Sequence, residues 1–397
     1  MNRRFSTNDD PLGGALGEVR DAVHQAAQGV LDRFDRRYWL DCARNQRFTD
    51  EMWQAMADQG LLGLGVPEAH GGSGGGITEI AAAMEALAAG GVPIALFLLT
   101  AFAREAILRH GHDEQCKRFV TPTVSGQDRM CFAITEPNAG TNSFAMETTA
   151  TKTVDGTYLL NGQKIFISGV DAANRMMVVA RTARLTEVAD RRQGLSLFVV
   201  DIPSRGLTYQ PIDIGIVMPD RQFTVFFDDL ELEADRLIGD EGEGFHYLFD
   251  ALNPERLLVA AWAVGLGDYV LAKAVAYARE RAPFGKPIGS YQALQHPLAE
   301  GKARLDAARL MMFTACRIFD GGGNAGYLSN AAKLLASQAA VDVCDHAIQT
   351  HGGYAFNQEY DVSTIWPVVR LLKIAPVNNE MILNYIGEHV LRLPRSY

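Results

Sequence analysis

Several things are scarce in this 397-residue chain, and each scarcity excludes a class of protein. Its five cysteines, Cys42, Cys116, Cys131, Cys316 and Cys344, are odd in number and form no CxxC pair. That argues for reduced thiols rather than a disulfide frame or a zinc site, and so for a cytosol-like compartment. Lysine and arginine total 37 against 47 acidic residues, a net charge of −10, and no basic block stands out. Neither a nucleic-acid groove nor an anionic membrane surface is then an expected partner. The opening MNRRFSTNDDPLGG has two arginines with no apolar stretch behind them, and no run approaches the ~18 apolar residues of a membrane span. His246, His296 and His351 stand at no ligand spacing, so no metal is expected.

What is present is enough apolar residue, 48%, to fill two or three domains. Residues 1–122 read as a helical domain, with FTDEMWQAMADQGLL and ITEIAAAMEALAAG at helical spacing. The glycine loop VPEAHGGSGGG at 66–76 follows no strand and lacks a P-loop lysine, so it reads as a flexible turn. Residues 123–232 carry short β-rich runs: MCFAIT, TYLLNGQKIFIS, RMMVVART, LSLFVVDI and FTVFFDDLEL. Residues 233–397 return to long apolar helices, a bundle by their length and short links. Helices and strands are segregated rather than alternating, which makes the fold class α+β and not a doubly wound sheet.

Two loops carry chemistry. FAITEPNAGTNSF sends the hydroxyls of Thr135, Thr141 and Ser143 outward from a turn. LLNGQKIFISG places Asn161-Gly162 at a hairpin position, with Phe166, Ile167 and Ser168 on the second strand, an aromatic and a hydroxyl suited to flank a flat ring. Together with RERAPFGKPIGSYQALQHPLAE and QTHGGYAFNQEY, these stretches resemble, in order, four motifs of the acyl-CoA dehydrogenase family. The resemblance spans nearly the whole chain. It implies an N-terminal helical domain, a middle β-barrel-like domain and a C-terminal four-helix bundle. It also implies one FAD per subunit, a homotetramer or homodimer, an acyl thioester of CoA or a carrier protein as substrate, and an electron-transfer flavoprotein as acceptor.

By that resemblance Phe132, Ile134, Thr135, Thr141, Phe166 and Ser168 fall where the family contacts the flavin, with Thr141 also near the substrate. Arg281, Phe284 and Gln292, completed by Gln349, Gly352 and Gly353, fall where it holds the adenosine diphosphate from a neighbouring subunit. A guanidinium neutralises pyrophosphate, and glycines let backbone come close. In VPIALFLLTAFAREA, Phe97, Leu98 and Phe102 are candidates to floor an acyl cavity and favour a short or branched chain, a role that core packing explains equally well.

The reaction of the family removes a proton from the α carbon of a thioester and needs a carboxylate dry enough to be basic. Most members carry that glutamate near the C-terminus, where this chain reads KIAPVNNEM and places Pro376; Glu380 lies about one turn on. A second group, including the isovaleryl and long-chain types, places it at an ER pair on the bundle's first long helix, here Glu255-Arg256 in LNPERLLVAAWAVG. Glu255 is thus the candidate base, with Arg256 beside it at the substrate. The structural alternative is a first-turn glutamate behind an Asn253 cap and Pro254 at the first helical position. Pro376 also lacks the N–H that the family uses to hold the thioester oxygen. Two rival functions stay open from sequence: an oxygen-using flavin oxidase or monooxygenase, and a non-catalytic flavin or thioester binder.

Overall fold

In the computed structural model the backbone is described for residues 14–395, and the opening MNRRFSTNDDPLG lies outside the described residues. The chain divides into two compact units: Gly76–Pro93 and Asn253–Tyr397 with the N-terminal segment to Arg37, and Tyr38–Gly75 with Ile94–Leu252. The first unit holds helices α1 (Gly14–Leu31), most of α8 (Gly244–Glu280), α9 (Gln292–Asp320), α10 (Gly326–His351), α11 (Ile365–Leu371) and α12 (Asn379–Tyr385), with α4 (Ile77–Ala89). The second holds α3 (Asp50–Asp58), α5 (Ala95–His110), the short turns α6 (Asp113–Gln115) and α7 (Thr121–Val124), and every strand. Helix α2 (Arg36–Arg44) crosses the division.

The strands are β1 (Met130–Ala133), β2 (Thr149–Lys152), β3 (Tyr158–Ser168), β4 (Arg175–Arg181), β5 (Leu195–Asp201), β6 (Leu207–Ile212), β7 (Gln222–Leu232) and β8 (Leu237–Ile238). They form one mixed sheet in the order β6-β7-β3-β2-β4-β5-β8, with β1 pairing β4 in parallel. Strands β4 and β5 are almost wholly buried, which explains their continuous apolar text. The short β2 and the exposed edge strand β6, which carries Pro211, have neither the continuous burial of β4 and β5 nor the alternation of β3 and β7.

Helix α5 is fixed to this sheet at both ends of its first turns. Asp220 accepts from the N–H groups of Ala95 and Leu96, both at 3.0 Å, and caps the helix. Thr100 Oγ1 accepts from Met130 N at 3.0 Å and ties the helix to β1. The space beneath is filled by Phe102, Ile107, Phe119, Met177, Leu197 and their neighbours.

Two local expectations are corrected. Asn161-Gly162 is not a hairpin turn: β2 and β3 are joined around Gly156, where Thr153 N donates to Thr157 O at 2.8 Å. Asn161 and Gly162 lie inside β3 at a register irregularity against β7, and Asn161 exchanges hydrogen bonds of 2.9 Å with Asp229. Gly162 is required there because φ is 142° and a Cβ would fall 2.6 Å from Thr148 Oγ1. The glycine loop at 66–76 is likewise a bonded turn rather than a flexible one: Gly65 N donates to Gly74 O, and Gly74 N to Val66 O, each at 2.9 Å. A Cβ on Gly72 would sit 2.0 Å from the Val66 carbonyl, so its glycine serves packing.

In the helical unit, Asp320 at the end of α9 caps α4 through Ile77 N (2.8 Å) and Thr78 N (3.0 Å). Buried Glu85 on α4 accepts from Arg20 of α1 at 3.1 Å and Arg309 of α9 at 2.5 Å, which neutralises it inside the unit. Gly265 of α8 packs on α4 so closely that a Cβ would meet the Glu85 carbonyl at 2.4 Å. Helix α8 is long and apolar enough by composition to pass for a membrane span, contrary to the sequence expectation, yet its most apolar 18-residue stretch is 72% buried inside the fold. It is a core helix.

Candidate active site

Helix α8 starts at Gly244, not at Asn253, so Pro254 lies in its interior and Glu255 is about three turns along. The first-turn reading of Glu255 is therefore wrong. Asn253 is no cap; its Oδ1 accepts from Arg256 Nη1 at 3.1 Å within the helix. A proline there leaves a carbonyl one turn back without its usual donor, which is a cost that this helix carries near the candidate base.

Glu255 is 6% exposed. Among the described residues none donates a hydrogen bond to its carboxylate or stands within ion-pair distance. Burial raises its pKa to about 7, against the charges of Arg256 and Lys333, which pull it down. A carboxylate that is dry, unpaired and half-ionised near neutrality is what proton abstraction from carbon requires.

Arg256 is also buried; its Nη1 makes the bond to Asn253, and its Nε has no partner. Buried donors are nearly always satisfied, so this one is available to an acceptor that enters the site. Lys333 of α10, completely buried, donates to Val377 O at 2.7 Å and to Asn379 Oδ1 at 2.9 Å. It thereby holds the Pro376 segment against α10. Glu380 stands in the first turn of α12, capped by Asn378, and is exposed; its charge reaches Lys333.

The sheet unit brings together the other predicted group. Ile165 N donates to Thr135 O at 2.9 Å, so the loop after β1 runs beside the bulged end of β3. Phe166 occupies that bulge with φ 59°, a left-handed conformation that a bulky residue adopts only under strain, and the residue is 58% exposed. Ser168 accepts from Gln222 Nε2 at 2.6 Å. Thr135 is half-buried and Thr141 exposed. Phe132 and Ile134 are half-buried against the core; Phe132 meets Phe102 edge-on at 4.7 Å. An aromatic ring forced outward beside hydroxyls and backbone is a fit for a flat heteroaromatic cofactor.

What holds this loop was not singled out in the sequence. Lys164, fully buried, donates to Glu136 Oε1 at 2.8 Å and to Ile134 O at 3.1 Å. Glu136 also accepts from Glu147 N at 2.6 Å and Thr148 N at 3.0 Å. The signal was present, because both charged residues stand inside the two recognised motifs.

In the helical unit, Arg281, Gln349, Gly352 and Gly353 line one open cleft of about 680 Å³ with Tyr277 and Tyr354. A Cβ on either glycine would meet nothing within 4 Å, and Gly352 has φ 58°, so the backbone there is open to a close ligand. One guanidinium and bare backbone suit a diphosphate. Phe284 and Gln292 are exposed and are not among the residues lining the cleft. Phe97 and Phe102 are 2% and 0% exposed; Phe102 belongs to the core beneath the sheet. The five cysteines are free and buried, and no group able to hold a metal ion occurs among the described residues.

Comparison with known proteins identifies the family. The models of the acyl-CoA dehydrogenase N-terminal, middle and C-terminal domains match residues 16–127, 131–230 and 242–391. The chain belongs to the acyl-CoA dehydrogenase family, and with that fold it is an FAD-dependent oxidoreductase. Acyl-CoA dehydrogenase FadE12 of Mycobacterium tuberculosis is 39% identical over 384 residues, covering 96% of this chain and 98% of that protein. The structure of butyryl-CoA dehydrogenase from Megasphaera elsdenii is similar with a TM-score of 0.87 at 29% identity, covering 96% of this chain and 99% of that one. The FAD complex of PigA is similar with a TM-score of 0.86 at 27% identity, covering 96% and 98%.

Proposed function

We propose that the chain dehydrogenates an acyl-CoA thioester to the trans-2-enoyl thioester with Glu255 as the base. The observation that carries this is the buried Glu255 carboxyl, lifted to about 7 and free of any contact cation, on a chain with Pro376 at the family's more common base position. Ionised Glu255 takes the α proton. FAD, when bound, supplies the acceptor for the hydride that leaves the β carbon. As the proton leaves, negative charge grows on the thioester oxygen, and Arg256 answers it through its unpartnered Nε. Pro376 has no N–H to offer, so a side-chain donor fills that need.

The ring of Phe166, with Thr135 and Ser168 beside it, contacts the flavin, with Phe132 and Ile134 behind and Thr141 at the substrate side. Arg281, Gln349, Gly352 and Gly353 hold the diphosphate, and Phe284 and Gln292 complete that contact. This last group belongs to an assembly in which one subunit serves its neighbour, a homodimer or homotetramer; the 84% exposure of Phe284 supports a partner there. Phe97 and Phe102, bulky and sealed, favour a short or branched acyl group in fatty-acid metabolism. An electron-transfer flavoprotein reoxidises the enzyme, in the cytoplasm. The domain limits 1–122, 123–232 and 233–397 belong to the same proposal.

Anaerobic mixing of the FAD-loaded enzyme with a series of straight and branched acyl-CoA and acyl-carrier-protein thioesters tests it. Bleaching of the flavin with formation of the 2-enoyl thioester supports the assignment. Tight binding with no bleaching across the series, or rapid oxygen consumption in air, refutes it.

A further inference from the structure

In the sheet unit the end of β3 is tied to the start of β7. Ile167 pairs with Phe223 and Ser168 with Gln222 in the antiparallel ladder. Just past the ladder, Gly169 N donates to Arg221 O at 2.7 Å, and Arg221 Nη2 donates to Asp171 Oδ2 at 2.7 Å. A Cβ on Gly169, which has φ 67°, would fall 2.7 Å from Leu96, so this corner also packs directly on α5. Ile167 and Phe223 are buried, and the alternation of a strand therefore turns the next pair, Ser168 and Gln222, to the opposite face, where both are half-buried.

On that face the Gln222 amide donates from Nε2 to Ser168 Oγ at 2.6 Å. A hydroxyl has one proton and two lone pairs; with the amide on a lone pair, the proton points away from Gln222. Among the described residues no acceptor meets that proton. Ser168 is thus a donor with a set direction and no partner, two residues from the exposed Phe166. For strand pairing alone, a β-branched residue opposite Ser168 would serve better than glutamine.

We propose that Gln222 is a positioning residue for the cofactor: its amide fixes the Ser168 hydroxyl as a hydrogen-bond donor to an acceptor atom on the flavin ring. This rests on Ser168 contacting the flavin, as proposed above. The oxidised ring offers carbonyl oxygens and ring nitrogens that accept, and a hydroxyl already aligned loses less freedom on meeting one than a free rotor does. Gln222 acts through Ser168, on a frame set by the ladder and by Arg221.

Two readouts on the FAD-loaded enzyme test this: the rate of FAD release on dilution, and the position of the visible absorption band of the bound flavin. Ser168→Ala speeds release by about tenfold, the loss of one hydrogen bond, and moves the band, whereas Ser168→Thr keeps the hydroxyl and restores both. Gln222→Met, of matching length without a donor, changes both in the direction of Ser168→Ala and by no more than it. In the Ser168→Ala background the same substitution adds nothing, the mark of a residue that acts through the hydroxyl. Gln222→Glu, whose carboxylate only accepts, draws the serine proton away from the flavin; it also moves the band and serves if Gln222→Met does not load FAD. An unmoved band in folded, FAD-loaded Gln222→Met or Gln222→Glu overturns the proposal. So does a Gln222→Met effect on release of equal size with and without the Ser168 hydroxyl. A Ser168→Ala enzyme unchanged in both readouts overturns the flavin contact of Ser168 itself, and the two failures are separately visible.

Discussion

Lys164 Nζ stands 2.8 Å from Glu136 Oε1, and this buried pair locks two loops of the sheet unit in one register. Burial depresses the lysine to about 8 while its charge and hydrogen bond favour the carboxylate of Glu136. Removing one partner strands the other. Lys164→Met therefore destabilises the protein by about 3–5 kcal/mol, and the enzyme purifies with little FAD because Thr135 and Phe166 lose their shared support. Flavin content per chain and thermal unfolding check both parts.

Phe166 tests the same region from the opposite side. Its left-handed backbone stores strain of about 1 kcal/mol that glycine would not feel. Phe166→Gly is expected to leave the cofactor-free protein as stable as wild type or slightly more so, while FAD binding weakens. Differential scanning calorimetry with and without FAD separates the two effects.

A raised carboxyl has a stability consequence. Glu255 binds a proton more tightly folded than unfolded, so its contribution is fully present below about 4.5 and is lost as pH rises through about 7. Glu255→Gln cannot ionise and escapes that loss. The variant is expected to be more stable than wild type at pH 8, by at most about 3 kcal/mol, and to match it near pH 4.5. Chemical denaturation at the two pH values measures the difference.

Arg256 carries a different expectation. If its Nε stabilises developing charge on the thioester oxygen, Arg256→Met lowers the rate of flavin reduction by on the order of a hundredfold. Thioester binding in the ground state changes much less, a split between rate and affinity that single-turnover kinetics resolves.

The division between what the sequence showed and what it hid follows from the physics of each signal. The strands β3, β4, β5 and β7 and the long helices were legible because each buries a face or more. The edge strand β6 and the short β2 were not, since side chains there face solvent or too few residues repeat. Asn-Gly reads as a hairpin by local propensity, yet at 161–162 the demand is tertiary: Thr148 leaves no space for a side chain and Asp229 pairs with Asn161. The start of α8 was misplaced for the opposite reason. Asn253-Pro254 is a strong local start signal, but the helix already runs through it from Gly244. Glu255 stands out in the sequence through its neighbour Arg256 and the lack of an acid at Pro376; its burial could not be read from spacing, because it depends on tertiary packing.

The most direct test of the account is the anaerobic reduction of bound flavin by a reactive acyl-CoA, followed by rapid mixing from pH 6 to 9 in wild type and Glu255→Gln. The account predicts a wild-type rate that rises with pH about a midpoint near 7, as the carboxyl loses its proton, and a variant slower by about a thousandfold or more at every pH. Bleaching that proceeds undiminished in folded, FAD-loaded Glu255→Gln would contradict it.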